Sequence, residues 1–130
     1  MGGKPPPLWR GDDSGFATLV LPPREAFYHD LPVQEGEFWV SKLKKQSQKV
    51  LFDGGEYSYA GWKDVPVWFL AGTEDRTIPI DALRVLIAGA KTDGGDITVK
   101  EIASSHSPML SKPRETADFI QEAVASLRKA

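Results

Sequence analysis

Apolar residues follow a regular pattern in the second half of the chain. The run from Val65 to Ala71 is uninterrupted and leads into Gly72, which is typical of a buried strand in a parallel sheet. A second, shorter strand is predicted over residues 96–102. Each strand is followed by a helical pattern, and strands joined by a crossover helix pair in parallel. We therefore predict an α/β fold in which residues 64–130 form a βαβα unit.

Prolines mark the starts of the two predicted helices. One helix begins at Pro79, and the last begins near Pro113 with Ser111 as its cap and Arg128 and Lys129 near its C-terminal dipole. The apolar residues at helical spacing, which we expect to face the sheet, are Ile80, Leu83, Ile87 and Ala90 in the first helix and Ala117, Ile120, Val124 and Leu127 in the last.

The first half of the chain, residues 1–63, predicts smaller elements. Its proline clusters favour extended or turn backbone, and its glycines and aspartates suit a hairpin turn. The longer of its two helices is expected to bury Val33, Phe38, Trp39, Val40 and Leu43. The predicted elements are a hairpin of residues 8–10 and 16–20, a short helix over 24–30 and a longer helix over 32–48.

Composition and charge exclude several classes of function. The net charge is −2, and no apolar stretch approaches the length of a membrane span, so we expect neither nucleic acid nor a membrane as partner. The basic run at residues 42–45 is interpreted as a solvated helix face. The chain has no cysteine and only His29 and His106, so neither a metal site nor another cofactor is expected, and a cytoplasmic location is predicted.

Two side chains with complementary chemistry follow the predicted strands. Asp75 comes after the first strand and His106 after the second, and the carboxyl ends of parallel strands are where α/β sheets place their chemistry. A carboxylate can accept the imidazole Nδ1–H and fix the tautomer that takes a proton from a serine. We predict Asp75 as the acid and His106 as the base, with Glu74 as the alternative acid. His29, which lacks such a neighbour, is interpreted as a helix-end residue.

The segments around this pair resemble a known family. Residues 72–79 and 104–113 are similar to the acid and histidine loops of the α/β-hydrolase superfamily, most of all in the branch of plant methyl esterases, hydroxynitrile lyases and their fungal relatives. Residues 24–60 resemble that branch's helical cap, and the domain division is a cap region over 1–63 before a core over 64–130. The resemblance implies a serine esterase that acts on a small apolar ester, whose acyl pocket Trp39, Tyr57, Tyr59, Trp62 and Met109 could line. Each of these side chains is equally well explained by packing.

The nucleophile of that family has no counterpart here. The chain contains no Gly-x-Ser-x-Gly motif, and Ser14, the nearest imitation, is interpreted as a turn residue. Ser104, Ser105 and Ser107 are expected to act as hydrogen-bonding residues of the loop. The oxyanion loop is missing too, so we expect a partial α/β-hydrolase fold, its C-terminal half, with little or no hydrolysis by itself.

Two classes of function stay open at this point. The first is an ester hydrolase in which Asp75 and His106 activate a serine. The second is a truncated, non-catalytic remnant or binding module that self-associates through an exposed sheet edge. A dinucleotide-binding protein is the weaker third alternative, because the glycines of the chain lack the required spacing at a strand-to-helix turn.

Overall fold

The computed structural model describes residues 9–127, which form a small antiparallel sheet, a parallel strand pair and five helices. Leu8, Arg128 and Lys129, to which the sequence assigns roles, lie outside the described residues. In chain order the strands and helices are β1 (Trp9–Gly11), β2 (Phe16–Leu19), α1 (Pro23–Phe27), α2 (Val33–Val40), β3 (Gln46–Ser47), β4 (Val67–Gly72), α3 (Ile80–Thr92), β5 (Ile97–Ile102), α4 (Pro108–Ser111) and α5 (Pro113–Leu127).

The parallel strand pair forms as the sequence predicts. β4 and β5 run parallel in a register that joins Val67 to Ile97 and Gly72 to Ile102, with α3 as the crossover between them. Because the strands end together, the loops that follow them lie at the same edge of the sheet. Within residues 9–127, each of these strands pairs only with the other, so each has an open edge.

Helices α3 and α5 cover opposite faces of this pair. Neighbouring residues of a strand point to opposite faces, and Lys100 and Glu101 of β5 show where each helix lies. Lys100 Nζ donates to Glu122 of α5 at 3.0 Å, and Arg84 Nε of α3 donates to Glu101 at 2.8 Å. On the α5 face, the rings of Trp68 and Phe119 are 5.8 Å apart. The result is a strand pair between two helical layers.

The predicted buried face is confirmed for α3 and wrong for α5. In α3, Leu83 is buried, and Ile80, Ile87 and Ala90 are partly buried. In α5, Phe119 is the buried residue, whereas the predicted stripe of Ala117, Ile120, Val124 and Leu127 is exposed. The Trp68 ring offers Phe119 a large apolar surface, so α5 is rotated by about one residue from the predicted register and leaves an apolar stripe uncovered.

The predicted hairpin is also present. β1 and β2 pair antiparallel, with Trp9 opposite Leu19. Their turn is fixed by Asp12 Oδ1, which accepts from the Ser14 amide at 2.9 Å and from the Phe16 amide at 3.1 Å, and Gly15 has a φ of 80°. Ser14 is therefore a turn residue, as predicted. An added strand, β3, pairs with the other edge of β2.

The helix predicted over residues 32–48 is much shorter in the structure. α2 ends at Val40, because Ser41 Oγ donates to Phe38 O at 2.6 Å and the next two amides bond three residues back. Residues 46–47 instead extend the small sheet as β3. Gly36 is the buried residue of α2, and Val33 and Phe38, predicted as buried, are 64% and 52% exposed.

Residues 49–63 connect the small antiparallel sheet to β4 through short 3₁₀ turns. The turns span Lys49–Leu51, Gly55–Tyr57 and Gly61–Lys63, and most of this connection is exposed. Gly54 has a φ of 84° and open space on its Cβ side. Among the residues that the structure describes, no helix combines the length and the apolar character needed to cross a membrane.

Candidate active site

The loops that follow β4 and β5 bring Asp75 and His106 together. His106 Nδ1 lies 2.8 Å from Asp75 Oδ2, although the two residues are 31 positions apart in the sequence. The Asp75 side chain is 10% exposed and that of His106 is 38% exposed. The imidazole is thus held by a largely buried carboxylate while part of its ring stays accessible.

The Thr77 hydroxyl contacts both members of the pair. Its Oγ1 donates to Asp75 Oδ1 at 2.6 Å and lies 2.6 Å from His106 Nδ1. Because an ionised carboxylate can only accept a hydrogen bond, the 2.8 Å contact between His106 Nδ1 and Asp75 Oδ2 is a hydrogen bond when Nδ1 holds the proton and donates it to Asp75. No group within residues 9–127 hydrogen-bonds to His106 Nε2, whose lone pair is free to accept a proton.

The surroundings of Asp75 favour its ionised form. Burial by itself would raise the pKa of this carboxyl, but hydrogen bonds from His106, from the Thr77 hydroxyl and amide, and from the Ile78 amide outweigh it. Together they lower the pKa of Asp75 to about 2. Asp75 is therefore a carboxylate at neutral pH and can stabilise positive charge on the imidazole.

The histidine loop crosses the end of β4 at very short range. A Cβ on Gly72 would lie 2.6 Å from Ser105 O and 2.8 Å from Ser104 O, so only glycine fits at this position. Ser104 and Ser105 are fully buried. The loop is therefore fixed against the strand that leads to Asp75.

Asp30 fixes the same loop from the other side. Its carboxylate accepts from the Ser105 amide at 2.8 Å and from the Ser105 hydroxyl at 2.5 Å. Partial burial would raise the pKa of Asp30, but hydrogen bonds, the largest of them from Ser105, outweigh it and keep the pKa below its ordinary value. In the same segment, the Phe27 ring lies 5.3 Å from the His106 ring, centre to centre. The end of α1 therefore packs on the histidine and holds its loop.

Two further contacts join residues 23–30 to the loop that contains Asp75. His29 Nε2 donates to Glu74 O at 2.9 Å, and Arg76 donates to Glu25 of α1. The segment consequently contacts both loops of the candidate site. The helix predicted over residues 24–30 ends at Phe27, because the residues after it leave the helix to make these contacts.

Comparison of the sequence with models of protein families identifies the family of this chain. A sequence model described as the alpha/beta hydrolase family matches residues 2–119. The chain belongs to the alpha/beta hydrolase family. Comparison with curated proteins gives no match, and comparison with solved structures gives none either.

The structure separates the predicted site residues of this hydrolase-family chain into two groups. Asp75 and His106 come together, whereas the Glu74 side chain is exposed and makes no hydrogen bond to His106. Trp62 packs against Gly95, just before β5 begins, and so lies at the opposite end of the strand pair from His106. Tyr57 is 87% exposed, and Met109, on α4, is 57% exposed. Trp39 packs edge-to-face on Phe38 within α2.

Sequence reasoning did not identify Thr77, Asp30 and Phe27. The order Asp-x-Thr in residues 75–77 is a signal that could have revealed Thr77, because aspartate commonly accepts from the amide two residues on. Asp30 and Phe27 lie 75 or more positions from the loop they contact, and no local pattern marks them. Across residues 9–127, no group of three or more His, Cys, Asp or Glu side chains is placed to hold a metal ion.

Proposed function

We propose that Asp75 and His106 are the acid and the base of a carboxylic-ester hydrolase of the serine type, and that these 130 residues alone hydrolyse esters at or near background rate. The observation that supports the roles is the 2.8 Å contact between His106 Nδ1 and Asp75 Oδ2, with Nε2 unoccupied. The order of the acid before the histidine is that of α/β-hydrolases.

The chemistry follows from this geometry. His106 Nε2 would take the proton from a serine hydroxyl as its oxygen attacks the ester carbonyl, and Asp75 would stabilise the resulting imidazolium. The acyl-serine would form as the alcohol leaves, and water activated by the same imidazole would release the acid. The chain has no serine in the Gly-x-Ser-x-Gly motif, and this absence is the reason to expect little turnover.

The finer assignment rests on the resemblance of the two loops and the cap. We place the chain near the methyl esterases, hydroxynitrile lyases and their fungal relatives, and we expect a small apolar ester as substrate. Trp39, Tyr57 and Met109 stay candidates for the acyl pocket. Trp62 does not, because it packs at the far end of β5. The cytoplasmic location stays a prediction.

A non-catalytic binding module is the second candidate. It is favoured by the open edges of β4 and β5 and by the uncovered apolar stripe of α5, where Ile120 is 55% exposed and Val124 is 44% exposed. Unpaired strand edges and contiguous apolar surface promote association unless they are covered. In this case the chain would self-associate or bind another polypeptide without turning over a substrate.

One set of samples tests both candidates. The purified chain is assayed with p-nitrophenyl acetate and butyrate beside His106→Ala and a control variant at an exposed residue of α3, Lys91→Ala, while size-exclusion chromatography gives the oligomeric state. We expect all three proteins to hydrolyse both esters at the same low rate. A rate lost in His106→Ala but kept in Lys91→Ala would overturn the prediction of inactivity. Concentration-dependent elution would favour the binding module.

The acid–base pair is tested separately from turnover. Nitrogen NMR of His106 should show the Nδ1–H tautomer, and Asp75→Asn should weaken that preference, since the carboxylate is what accepts the proton. A neutral imidazole with its proton on Nε2 in the wild type would contradict the assignment of His106 as a base.

A further inference from the structure

A cavity of about 620 Å³ lies between the small antiparallel sheet and α1, apart from the Asp75–His106 pair. The apolar side chains that line it come from β1, β2, α1 and the segments on either side of β3. They are Trp9, Ala17, Leu19, Phe27, Leu43 and Leu51. This volume lies within the range of roughly 300–1,000 Å³ that is usual for small-molecule sites. An apolar body of a small ligand therefore fits.

The charged side chains of the cavity have a single sign. Lys44 and Lys45 both line it, and none of its lining residues is acidic. Within residues 9–127, neither lysine forms a salt bridge, and Lys45 Nζ lies 4.9 Å from the centre of the Phe16 ring. Two cations with no carboxylate partner beside an apolar cavity complement a ligand with an apolar body and an anionic end.

We propose that this cavity binds a medium-chain fatty acid in its carboxylate form. The alkyl chain lies against Trp9, Phe27 and the leucines, and the carboxylate lies near Lys44 and Lys45. Burial of the alkyl chain supplies the affinity, and the lysines supply the preference for an anion. The binding goes beyond the proposed hydrolase function and needs neither Asp75 nor a serine.

Phe27 is the one residue shared with the candidate active site. Its ring lines the cavity and also packs on His106 at 5.3 Å between ring centres. The two sites are therefore neighbours across one aromatic side chain, but the cavity's lining includes none of Asp75, Thr77 and His106. Fatty-acid binding can accordingly be measured in a chain whose proposed acid–base pair has been removed.

The test is calorimetric titration of the 130-residue chain with decanoate, decanol and decyltrimethylammonium below their aggregation concentrations. We expect saturable one-to-one binding of decanoate, weaker binding of the alcohol and the weakest binding of the cation. The double variant Lys44→Glu and Lys45→Glu should weaken decanoate binding roughly tenfold or more and leave decanol unchanged. Lys91→Glu, which reverses an exposed charge at the end of α3, is the matched control and should bind as the wild type does.

Two further variants show where the ligand lies. Ala17→Phe places a ring into the cavity and should abolish binding. If that variant fails to fold, a decanoate-dependent change in tryptophan fluorescence that Trp9→Phe removes gives the same information. His106→Ala should bind decanoate as the wild type does, so loss of the proposed enzymatic role would not affect this result.

Several outcomes would overturn the proposal. They are no binding of decanoate, equal affinity for the anion and the cation, binding that the lysine variants leave unchanged, and non-saturable uptake that persists in folded Ala17→Phe. The last result would assign the uptake to the exposed apolar surface of α5 instead.

Discussion

The N-terminal region, residues 9–63, and the C-terminal region, residues 64–127, use their residues in different ways. The C-terminal region has strands of 6 residues and helices of 13 and 15 residues, joined by regular backbone pairing. In the N-terminal region the longest helix has 8 residues and the longest strand has 4. Regular elements position Asp75 and His106, whereas irregular ones supply the surroundings of that pair.

The two regions meet at the loops that contain Asp75 and His106. The segment after α1 reaches the site loops mainly through hydrogen bonds between side chains and backbone groups: Asp30 accepts from the Ser105 amide, and His29 donates to Glu74 O. Such bonds depend on a few named polar atoms, whereas α3 and α5 each bury an apolar side chain, Leu83 and Phe119. Substitutions should therefore affect the two regions to different degrees.

The largest effect is expected inside the C-terminal region, at Gly72. Gly72→Ala places a Cβ against two backbone oxygens, at 2.6 Å and 2.8 Å, and should lower the free energy of unfolding by about 3 kcal/mol. The matched control is Gly89→Ala on α3, where the added Cβ has no neighbour within 4 Å. The control should raise stability by about 0.5–1 kcal/mol through helix propensity. Urea unfolding measures both, and equal effects would contradict the close crossing of the histidine loop over β4.

A smaller effect is expected at the junction of the two regions. Asp30→Ala leaves the buried Ser105 amide and hydroxyl without their acceptor, which should cost about 2–3 kcal/mol. Limited proteolysis should then cut residues 9–63 before the C-terminal region. Asp64→Ala, which removes an exposed carboxylate bonded to Tyr59, is the matched control and should change stability by less than about 0.5 kcal/mol. Unchanged proteolysis of Asp30→Ala would show that the junction does not depend on this carboxylate.

The smallest effect is a pH dependence of stability that arises from Asp75. The pKa of Asp75 is about 2 in the folded chain against an ordinary value of 3.8, so the unfolded chain binds a proton first as the pH falls. The resulting stability is fully present above about pH 4 and is lost toward pH 2, with a size of about 2 kcal/mol. Urea unfolding of wild type and Asp75→Asn across this range should show the difference between them shrink. A constant difference would contradict the lowered pKa.

Some parts of the fold could be predicted from the sequence and others could not. The strand pair and the buried face of α3 could be predicted, because an unbroken apolar run and a helical repeat are local signals. The face of α5 could not, because Ile120 and Phe119 are neighbours and the choice between them depended on Trp68 of β4. The helical pattern did not show that the Ser41 hydroxyl ends α2 by bonding to Phe38 O, nor that residues 46–47 join β2 through a tertiary contact.

Of the candidate site, only Asp75 and His106 were predicted from the sequence. Asp75 and His106 follow strands that run parallel, so their approach could be expected from topology. The docking of Phe27 and Asp30 could not, because it depends on where a short helix lies in space and not on any repeat along the chain. The pocket side chains were predicted from the family resemblance, and no local pattern determines which end of the sheet they occupy.

The exposed connection around Gly54 and Gly55 has a consequence for protein engineering. Among residues 9–127, no atom lies within 4 Å of the Cβ position of either glycine, and the flanking turns are exposed. Exposed loop tips are the places where inserted sequences and new chain termini are best tolerated. A peptide tag, a fluorescent label or a circular permutation is therefore best introduced between these two glycines, where it leaves the junction of the two regions intact.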